Sequence, residues 1–175
     1  MYNNILKTSW IDTPLGKMFV VSDEQALYVL KFIEQQKAEC EVNKIRIKTK
    51  MNIIVGINDP IISIVAEPKS YFDGSLKEFK TPFYLLGSQF QKLVWKELIH
   101  TPYGQTRSYA EQAMALGKRS ACRAVANANV ANQLTIVIPC HRIINSSGGF
   151  GGYSAGIIRK RWLINHEKAN NIKTA

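Results

Sequence analysis

The chain has 175 residues, of which 46% are hydrophobic and 21% are charged, and its formal net charge is +10. This length allows one domain or two small ones, and the composition excludes a disordered or low-complexity chain. No apolar stretch approaches the roughly 20 residues that a membrane span needs. Residues 1–5 have neither the basic nor the apolar region of a secretory signal, so we expect a cytoplasmic protein without a membrane partner.

The N-terminal half begins with patterns typical of β-strands. Residues 16–21 and 26–32 are rich in β-branched and aromatic side chains, and residues 12–16 have the composition of a turn. We therefore predict a small antiparallel sheet. The charged segment 34–50 leaves its structure open, with a further strand between long loops as one alternative.

A helix is predicted after this segment. Asp59 is a suitable N-cap, Pro60 suits the first helical position, and the buried face would consist of Ile61, Ile62, Ile64 and Val65. The residues at 71–74 are typical of the end of a helix or of a turn after it.

Stronger helical signals follow residue 87. Ser88 and Gln91 form a capping box before apolar residues at helical spacing, namely Phe90, Leu93, Val94 and Leu98. The turn-forming residues 101–104 predict the end of this helix.

Two short helices then match a helix-turn-helix. Ser108 and Glu111 form a second capping box, and Gly117 is suited to end that helix. Ser120 is predicted to cap the next helix, which would run to about residue 128 after a three-residue connection.

The second of these helices is nearly all alanine. Arg123 and Asn127 are its only long polar side chains, too few to read a base sequence in the major groove. The composition favours close approach to DNA, with Arg123 as a probe of the base stack. Tight packing inside the protein is the alternative.

A β-branched run, residues 135–138, ends at Pro139 and predicts a buried strand that leads directly to Cys140. Residues 148–153 follow as a glycine-rich loop whose backbone could approach a ligand closely. The last predicted element is a basic helix over residues 157–167, whose inward side chains would be Trp162, Leu163 and Ile164.

Positive charge is concentrated in the C-terminal half. Residues 1–87 carry 11 Lys and Arg against 10 Asp and Glu, whereas residues 88–175 carry 12 against 3. Such a surface favours nucleic acid as a partner, because each neutralised phosphate releases counterions. A merely solvated basic surface is the alternative.

Cysteine chemistry is indicated at Cys140. The chain has three cysteines, an odd number, so at least one thiol is free. A nucleophilic thiol needs a nearby base or cation, and His141 and Arg142 supply one of each in the next two positions. His141 would reach the sulfur through a bridging water molecule if the two side chains point apart.

Motifs over residues 87–167 closely resemble the O6-alkylguanine-DNA alkyltransferase family. They are, in chain order, Phe90-Gln91-x-x-Val94-Trp95, Pro102-Tyr103-Gly104-x-Thr106-x-Ser108-Tyr109, Arg123-Ala124-Val125, Asn132, Ile138-Pro139-Cys140-His141-Arg142, Gly152-Tyr153 and Lys160-x-Trp162-Leu163-Ile164. The N-terminal half matches loosely, through Thr13-Pro14-Leu15-Gly16 and Tyr71-Phe72-x-Gly74.

The resemblance implies an α+β protein with two domains. Residues 1–85 would form an α/β domain, ribonuclease H-like, with a small antiparallel sheet. Residues 86–175 would form a mainly helical alkyltransferase domain that contains the helix-turn-helix. We also expect a monomer, with neither a cofactor nor a metal.

The implied activity is irreversible transfer of an alkyl group from O6-methylguanine in double-stranded DNA to Cys140, once per protein molecule. His141 would activate Cys140 through a water molecule, and Glu167 would orient and charge the imidazole. Tyr109 would donate a proton toward the guanine, and Asn132 would hold the turn before the active site. Whether O4-methylthymine is also a substrate is left open.

The resemblance also places the substrate. The flipped-out base would meet the carbonyl groups of Cys140 and Ile143, the backbone N–H of Ser154, and the pocket residues Tyr153 and Ala155. The DNA-binding face would consist of Ser120, Ala121, Arg123, Ala124, Asn127 and Tyr109, with Arg123 filling the gap in the stack. Gln133, Ala155 and Lys118-Arg119 depart from the residues usual in the family.

Three other functions remain alternatives. A lesion-binding protein of related fold would bind alkylated DNA without removing anything, but such relatives lack the acceptor cysteine. A helix-turn-helix regulator would need more base-reading side chains than residues 121–128 provide. A Cys-His hydrolase would have no need of the basic half.

Overall fold

The computed structural model describes residues 5–172. Residues 1–4, part of the segment on which the prediction about a secretory signal depends, lie outside the described residues. The chain forms two compact units, Met1–Leu86 and Gly87–Ala175, and both contain helices and strands. The prediction of an α+β protein is confirmed. No helix in the described part of the chain has the length and hydrophobicity to cross a membrane.

The first unit is built on a four-stranded sheet in the order β3-β2-β1-β4. Its strands are β1 (Ile5–Thr13), β2 (Gly16–Ser22), β3 (Leu27–Phe32) and β4 (Asn52–Val55). The first three are antiparallel, as predicted, because short turns join them. Strand β4 pairs with β1 in parallel, which the sequence did not predict.

Helix α1 (Ala38–Thr49) occupies most of the segment for which a strand was one alternative. Only Glu41 and Ile45 of this helix are buried, so its apolar pattern is too sparse to recognise in the sequence. Ile45 packs into the core beside Leu6 and Phe19. The helix connects β3 to β4 and thereby allows the parallel pairing.

Helix α2 (Asp59–Phe72) begins one residue earlier than predicted, because its N-cap is Asn58 and not Asp59. The Asn58 side chain accepts a hydrogen bond from the backbone N–H of Ile61 at 3.3 Å. Ile61 and Ile64 are buried as predicted, whereas Ile62 and Val65 are 60% and 47% exposed. The predicted end at residues 71–74 is confirmed.

The second unit is mainly helical. It contains α3 (Gln89–Ile99), α4 (Tyr109–Ala115), α5 (Cys122–Val130) and α6 (Ile157–Ile172), and the short parallel strands β5 (Arg107–Ser108) and β6 (Ile143–Ile144). Both predicted capping boxes are present. Trp95 of α3 fixes the position of α5 through a hydrogen bond from its indole nitrogen to the carbonyl of Ala128, at 2.7 Å.

Several local predictions in this unit are wrong. Ser120 does not cap α5, because Arg119–Ala121 is a 3-10 turn and α5 begins at Cys122 without a side-chain cap. The connection between α4 and α5 is therefore longer than three residues. Trp162, predicted to face inward, is exposed, and so is Leu93, one of the apolar residues at helical spacing in α3.

The predicted strand at residues 135–138 is a tight buried turn. Ile136 has a φ of 75°, a left-handed conformation that is costly for a β-branched residue. Asn132 offsets that cost by bonding the backbone on both sides of the turn. Its side chain accepts from the N–H of Leu134 at 2.9 Å and donates to the carbonyl of Ile138 at 2.8 Å. Ile136 and Ile138 are buried as predicted and Val137 is half-buried, but the predicted backbone conformation of this segment is wrong.

Candidate active site

Cys140 begins a buried 3-10 turn, Cys140–Arg142, that directly follows the turn held by Asn132. The Sγ atom accepts a hydrogen bond from Asn132 Nδ2 at 3.2 Å. The same amide group that shapes the 132–138 turn therefore also fixes the sulfur. Cys40 and Cys122 are likewise free thiols, but both lie nearer the surface.

His141 and Glu167 form a fully buried pair. His141 Nε2 lies 2.7 Å from Glu167 Oε1, so α6 contributes the carboxylate that orients the ring. The other ring nitrogen, Nδ1, is buried and makes no hydrogen bond among the described residues. Nδ1 is thus the nitrogen left to exchange a proton, and no direct hydrogen bond joins it to Cys140.

Arg142 contacts Glu167 rather than the thiol. Its Nε and Nη2 atoms donate to the two carboxylate oxygens at 2.8 and 3.0 Å, and Nη1 donates to the carbonyl of Thr101 at 2.7 Å. The backbone N–H of Gly104 also donates to Glu167, at 3.1 Å. The interpretation of Arg142 as the cation beside the thiol is therefore wrong, because the carboxylate holds its guanidinium.

Burial dominates the electrostatics of this site. It raises the pKa of the Cys140 thiol, although the hydrogen bond from Asn132 and the charge of Lys160 act in the opposite direction. Burial also holds the pKa of His141 below its ordinary value, against the effect of Glu167. At neutral pH the resting pair is a thiol and a neutral imidazole. Glu167 favours the charged imidazole, as expected, but burial outweighs that effect in this resting state.

Glu167 itself is ionised. Burial alone would raise its pKa, but the interactions with His141 and Arg142 outweigh burial and lower it below the ordinary value. A carboxylate that accepts several hydrogen bonds is held rigidly and can orient an imidazole that acts as a base.

A small cavity lies beside Cys140. Its volume is about 10 Å³, and it is lined by Tyr109, Asn129, Val130, Cys140, Gly152, Tyr153 and Ser154. That volume matches one water molecule and is far too small for a purine. The Tyr109 hydroxyl donates to the carbonyl of Gly152 at 3.4 Å. Gly151 allows the loop to come this close, since a Cβ there would lie 3.2 Å from the hydroxyl.

Lys160 links Gly152, on the wall of this cavity, to Ile143. It is fully buried, and its ammonium group donates to the carbonyls of Ile143 at 2.5 Å and Gly152 at 3.2 Å. Burial lowers the pKa of Lys160 to about 8, although the nearby Cys140 acts in the opposite direction. The carbonyl of Ile143, predicted to meet the substrate, is therefore already hydrogen-bonded in the resting site.

Comparison with known proteins identifies the family. Residues 89–169 match the family model described as 6-O-methylguanine DNA methyltransferase, DNA binding domain, and residues 6–85 match its ribonuclease-like domain. The chain belongs to the 6-O-methylguanine DNA methyltransferase family. A relative from Mycobacterium bovis, named methylated-DNA--protein-cysteine methyltransferase, is 38% identical over 91% of this chain and 90% of its own length.

Solved structures of this methyltransferase family have the same fold. The Mycobacterium tuberculosis O6-methylguanine methyltransferase is 36% identical and covers 94% of both chains with a TM-score of 0.80. A crystal structure of the M. tuberculosis protein OGT in complex with DNA is 37% identical, covers 95% of this chain and 94% of that chain, and has a TM-score of 0.78.

Of the residues predicted to bind DNA, all but Tyr109, which begins α4, lie on or beside α5. Ser120, Arg123, Ala124 and Asn127 are exposed, and Ala121 is half-buried. Val125, Ala128 and Asn129 of the same helix are buried, so the exposed residues share its outer side. The structure thus presents a surface of small side chains with one arginine, as the sequence interpretation requires for a methyltransferase of this family.

The predicted substrate residues are divided between the surface and the interior. Ser154 is exposed, Tyr153 is half-buried, and Ala155 and Ile143 are buried. Sequence reasoning missed the carbonyl contacts of Lys160 and the cavity position of Asn129. Lys160 lies in a family motif, but nothing in its spacing identifies the carbonyl groups that it contacts. Asn129 carries no such signal.

Proposed function

We propose that this chain repairs alkylated DNA by transferring the alkyl group from O6 of guanine to Cys140 Sγ in one irreversible step. The observation that carries this proposal is the position of Sγ, on the wall of a cavity shared with Tyr109 and next in the chain to the His141–Glu167 pair. The names of the relatives and the DNA complex of the M. tuberculosis protein support it. Cys140, His141, Glu167, Tyr109 and Asn132 form the active site.

The reaction is a displacement at the alkyl carbon. The Cys140 thiol gives its proton to His141 Nδ1 through a water molecule, and Sγ then forms the new bond to carbon as the bond from carbon to guanine O6 breaks. The departing electron pair stays on the guanine. Tyr109 donates a proton toward the base, which makes guanine a better leaving group. The thioether product has no group that water can displace, so each protein molecule reacts once.

The resting cavity must open before a guanine can enter. A purine needs far more than the volume of about 10 Å³ beside Cys140. The hydrogen bonds from Tyr109 and Lys160 to the carbonyl of Gly152 are the contacts that keep the loop closed. Outward movement of the glycine-rich loop would break both and free the Tyr109 hydroxyl for the base. Tyr153 belongs to this loop, Ser154 and Ala155 directly follow it, and all three line the opened pocket.

DNA binds to the exposed side of α5. Ala121 and Ala124 allow the duplex to approach, Ser120 and Asn127 flank them, and Arg123 fills the space that the flipped nucleotide leaves. The exposure of Ser120, Arg123, Ala124 and Asn127 and the excess of positive charge in residues 88–175 support this arrangement. Double-stranded DNA that carries O6-alkylguanine is therefore the partner.

The proposal has further parts that concern the whole molecule. Residues 1–85 and 86–175 act as separate domains, and the two family-model matches support this division. The protein is a cytoplasmic monomer that needs no cofactor. Three free thiols support a reducing compartment.

Mass spectrometry of the intact protein tests the reaction. After mixing with an excess of duplex that contains one O6-methylguanine, we expect the protein mass to increase by a single methyl group, with the modified peptide containing Cys140. A second addition of duplex should change nothing. Repaired DNA in excess over protein would indicate a turnover enzyme, and a bound duplex without any mass increase would indicate a lesion-binding protein. Either result would contradict the proposal.

Arg123→Ala tests the DNA-binding face. We expect transfer from the duplex to slow by about tenfold, because the flipped nucleotide loses about 1.4 kcal/mol of stabilisation. Transfer from free O6-benzylguanine, which needs no flipping, should keep the wild-type rate. Arg119→Ala is the matched control, since it removes the same charge from the preceding turn and should weaken DNA binding without affecting flipping. Equal slowing with both substrates would contradict the role of Arg123.

A further inference from the structure

Arg142 is one of two buried cations at the active site, together with Lys160. Its side chain is nearly inaccessible to solvent, and three of its nitrogen atoms donate to Glu167 and Thr101 at 2.7 to 3.0 Å. The guanidinium carbon lies 5.7 Å from the centre of the Tyr103 ring. An arginine held in this way cannot rotate toward the thiol. Its charge therefore acts on Glu167 and, through Glu167, on the imidazole.

Charge balance around Glu167 depends on this arginine. The carboxylate has one negative charge, and its two oxygens lie against the two side chains that could balance it, His141 and Arg142. A buried carboxylate without a cationic partner is costly, so one of the two must supply the positive charge or Glu167 must itself bind a proton. Arg142 always carries its charge, which leaves the imidazole uncharged.

We propose that Arg142 is a positioning residue that keeps His141 neutral by balancing the charge of Glu167, so that His141 can accept the proton of Cys140. The inference rests on the proposed function, because only there does His141 act as a base. In this inference Arg142 does not act on the thiol as a neighbouring cation. It acts on the imidazole of His141, through Glu167.

Other charged and titratable groups surround the same imidazole. Helix α6 contributes Glu167 and Lys160, and the 3-10 turn contributes Cys140 and Arg142 itself. The loop before β5 contributes Tyr103, and the glycine-rich loop contributes Tyr153, whose hydroxyl is buried. Of the two cations, Arg142 has direct hydrogen bonds to Glu167, whereas Lys160 is bound to backbone carbonyls. Arg142 is therefore the cation to change.

The effect of removing the charge has a definite sign. Burial and Arg142 both lower the pKa of His141, whereas Glu167 raises it. Without the arginine charge, the pair of Glu167 and His141 binds its proton more tightly. On acidification, the imidazole of His141 is then protonated at a higher pH than in the wild type. The acid side of the pH–rate profile should move to higher pH by about one unit or more.

Two single substitutions separate charge from hydrogen bonding. Arg142→Gln removes the charge but keeps donors near Glu167 and Thr101, whereas Arg142→Lys keeps the charge with fewer donors. The nitrogen chemical shifts of the His141 ring would be followed by NMR as a function of pH, in parallel with the rate of methyl transfer. We expect the midpoint of the His141 titration to lie at higher pH in Arg142→Gln and to stay near the wild-type value in Arg142→Lys.

A double variant completes the test. Arg142→Gln with Glu167→Gln removes both charges, so the midpoint should return to the wild-type value or fall below it. If Arg142→Gln fails to fold, Arg142→Lys and the double variant decide. Arg142→Lys keeps the positive charge beside Glu167, and the double variant removes the positive and the negative charge together. A wild-type midpoint in folded Arg142→Gln, or a raised midpoint in either of the other variants, would overturn the inference. A raised midpoint without a matching change in rate would instead refute the role of His141 in transfer.

Discussion

Cys140→Ala is expected to abolish methyl transfer completely while leaving DNA binding intact. The substitution removes the sulfur that forms the new bond, and no other thiol lines the cavity among the described residues. The DNA-binding face on α5 is unchanged, so anisotropy of a labelled duplex should give the wild-type dissociation constant within about twofold. Intact mass after prolonged incubation should show no added methyl group.

Cys122→Ala is the matched control for this substitution. Cys122 is also a free thiol, lies at the start of α5, and donates a weak hydrogen bond to the carbonyl of Arg119 at 3.5 Å. Its removal should leave the rate and the extent of transfer unchanged. Methylation of the Cys140→Ala protein, or loss of transfer in Cys122→Ala, would show that the acceptor is a different residue.

Local rules predicted most of the helices of this protein. The two capping boxes, at Ser88 and Ser108, depend only on residues three positions apart, and both are present. Turn-forming residues also marked the ends of α2 and α3 correctly. Helix α1 was missed, because its buried face consists of one isoleucine and one glutamate. A pattern so sparse contains too little information to identify a helix.

The turn before Cys140 could not be predicted from local rules. Residues 135–138 have the β-branched composition of a strand, and Ile136 is a residue type that rarely adopts a positive φ. The deciding contacts come from one side chain, Asn132, which replaces the hydrogen bonds that a neighbouring strand would supply. Family motifs included Asn132, but only the structure gives the physical reason for an asparagine there.

The sequence predicted which residues form the candidate site better than it predicted the contacts among them. The resemblance to the family identified Cys140, His141 and Glu167, which the structure places in and around one buried turn. The partners of Arg142 and Lys160 were not predicted, because they are carbonyl and carboxylate groups from distant parts of the chain. Contacts of this kind depend on the folded positions of α6 and the loops, which sequence spacing does not encode.

Glu167→Ala is expected to destabilise the protein by about 3–5 kcal/mol, which is typical when one partner of a buried ion pair is removed. The carboxylate accepts hydrogen bonds from Arg142, from His141 and from the backbone of Gly104. Its loss leaves the guanidinium as an uncompensated buried charge. Urea unfolding followed by circular dichroism would measure the free energy of unfolding. In protein that remains folded, transfer should slow by about 10²- to 10⁴-fold, because the base loses its orientation.

Glu111→Ala is the control for Glu167→Ala, since Glu111 is an exposed carboxylate in a capping box and should affect stability far less. The pH dependence of the free energy of unfolding distinguishes the contribution of the charge of Glu167 from that of its packing. Because the pKa of Glu167 is lowered in the folded protein, its ionised form stabilises the fold above the ordinary glutamate value of about 4.3. That contribution is lost as the pH falls through the lowered value. Wild type should therefore lose its advantage over Glu167→Gln on acidification below about pH 4.3, and an advantage independent of pH would mean that Glu167 acts through packing alone.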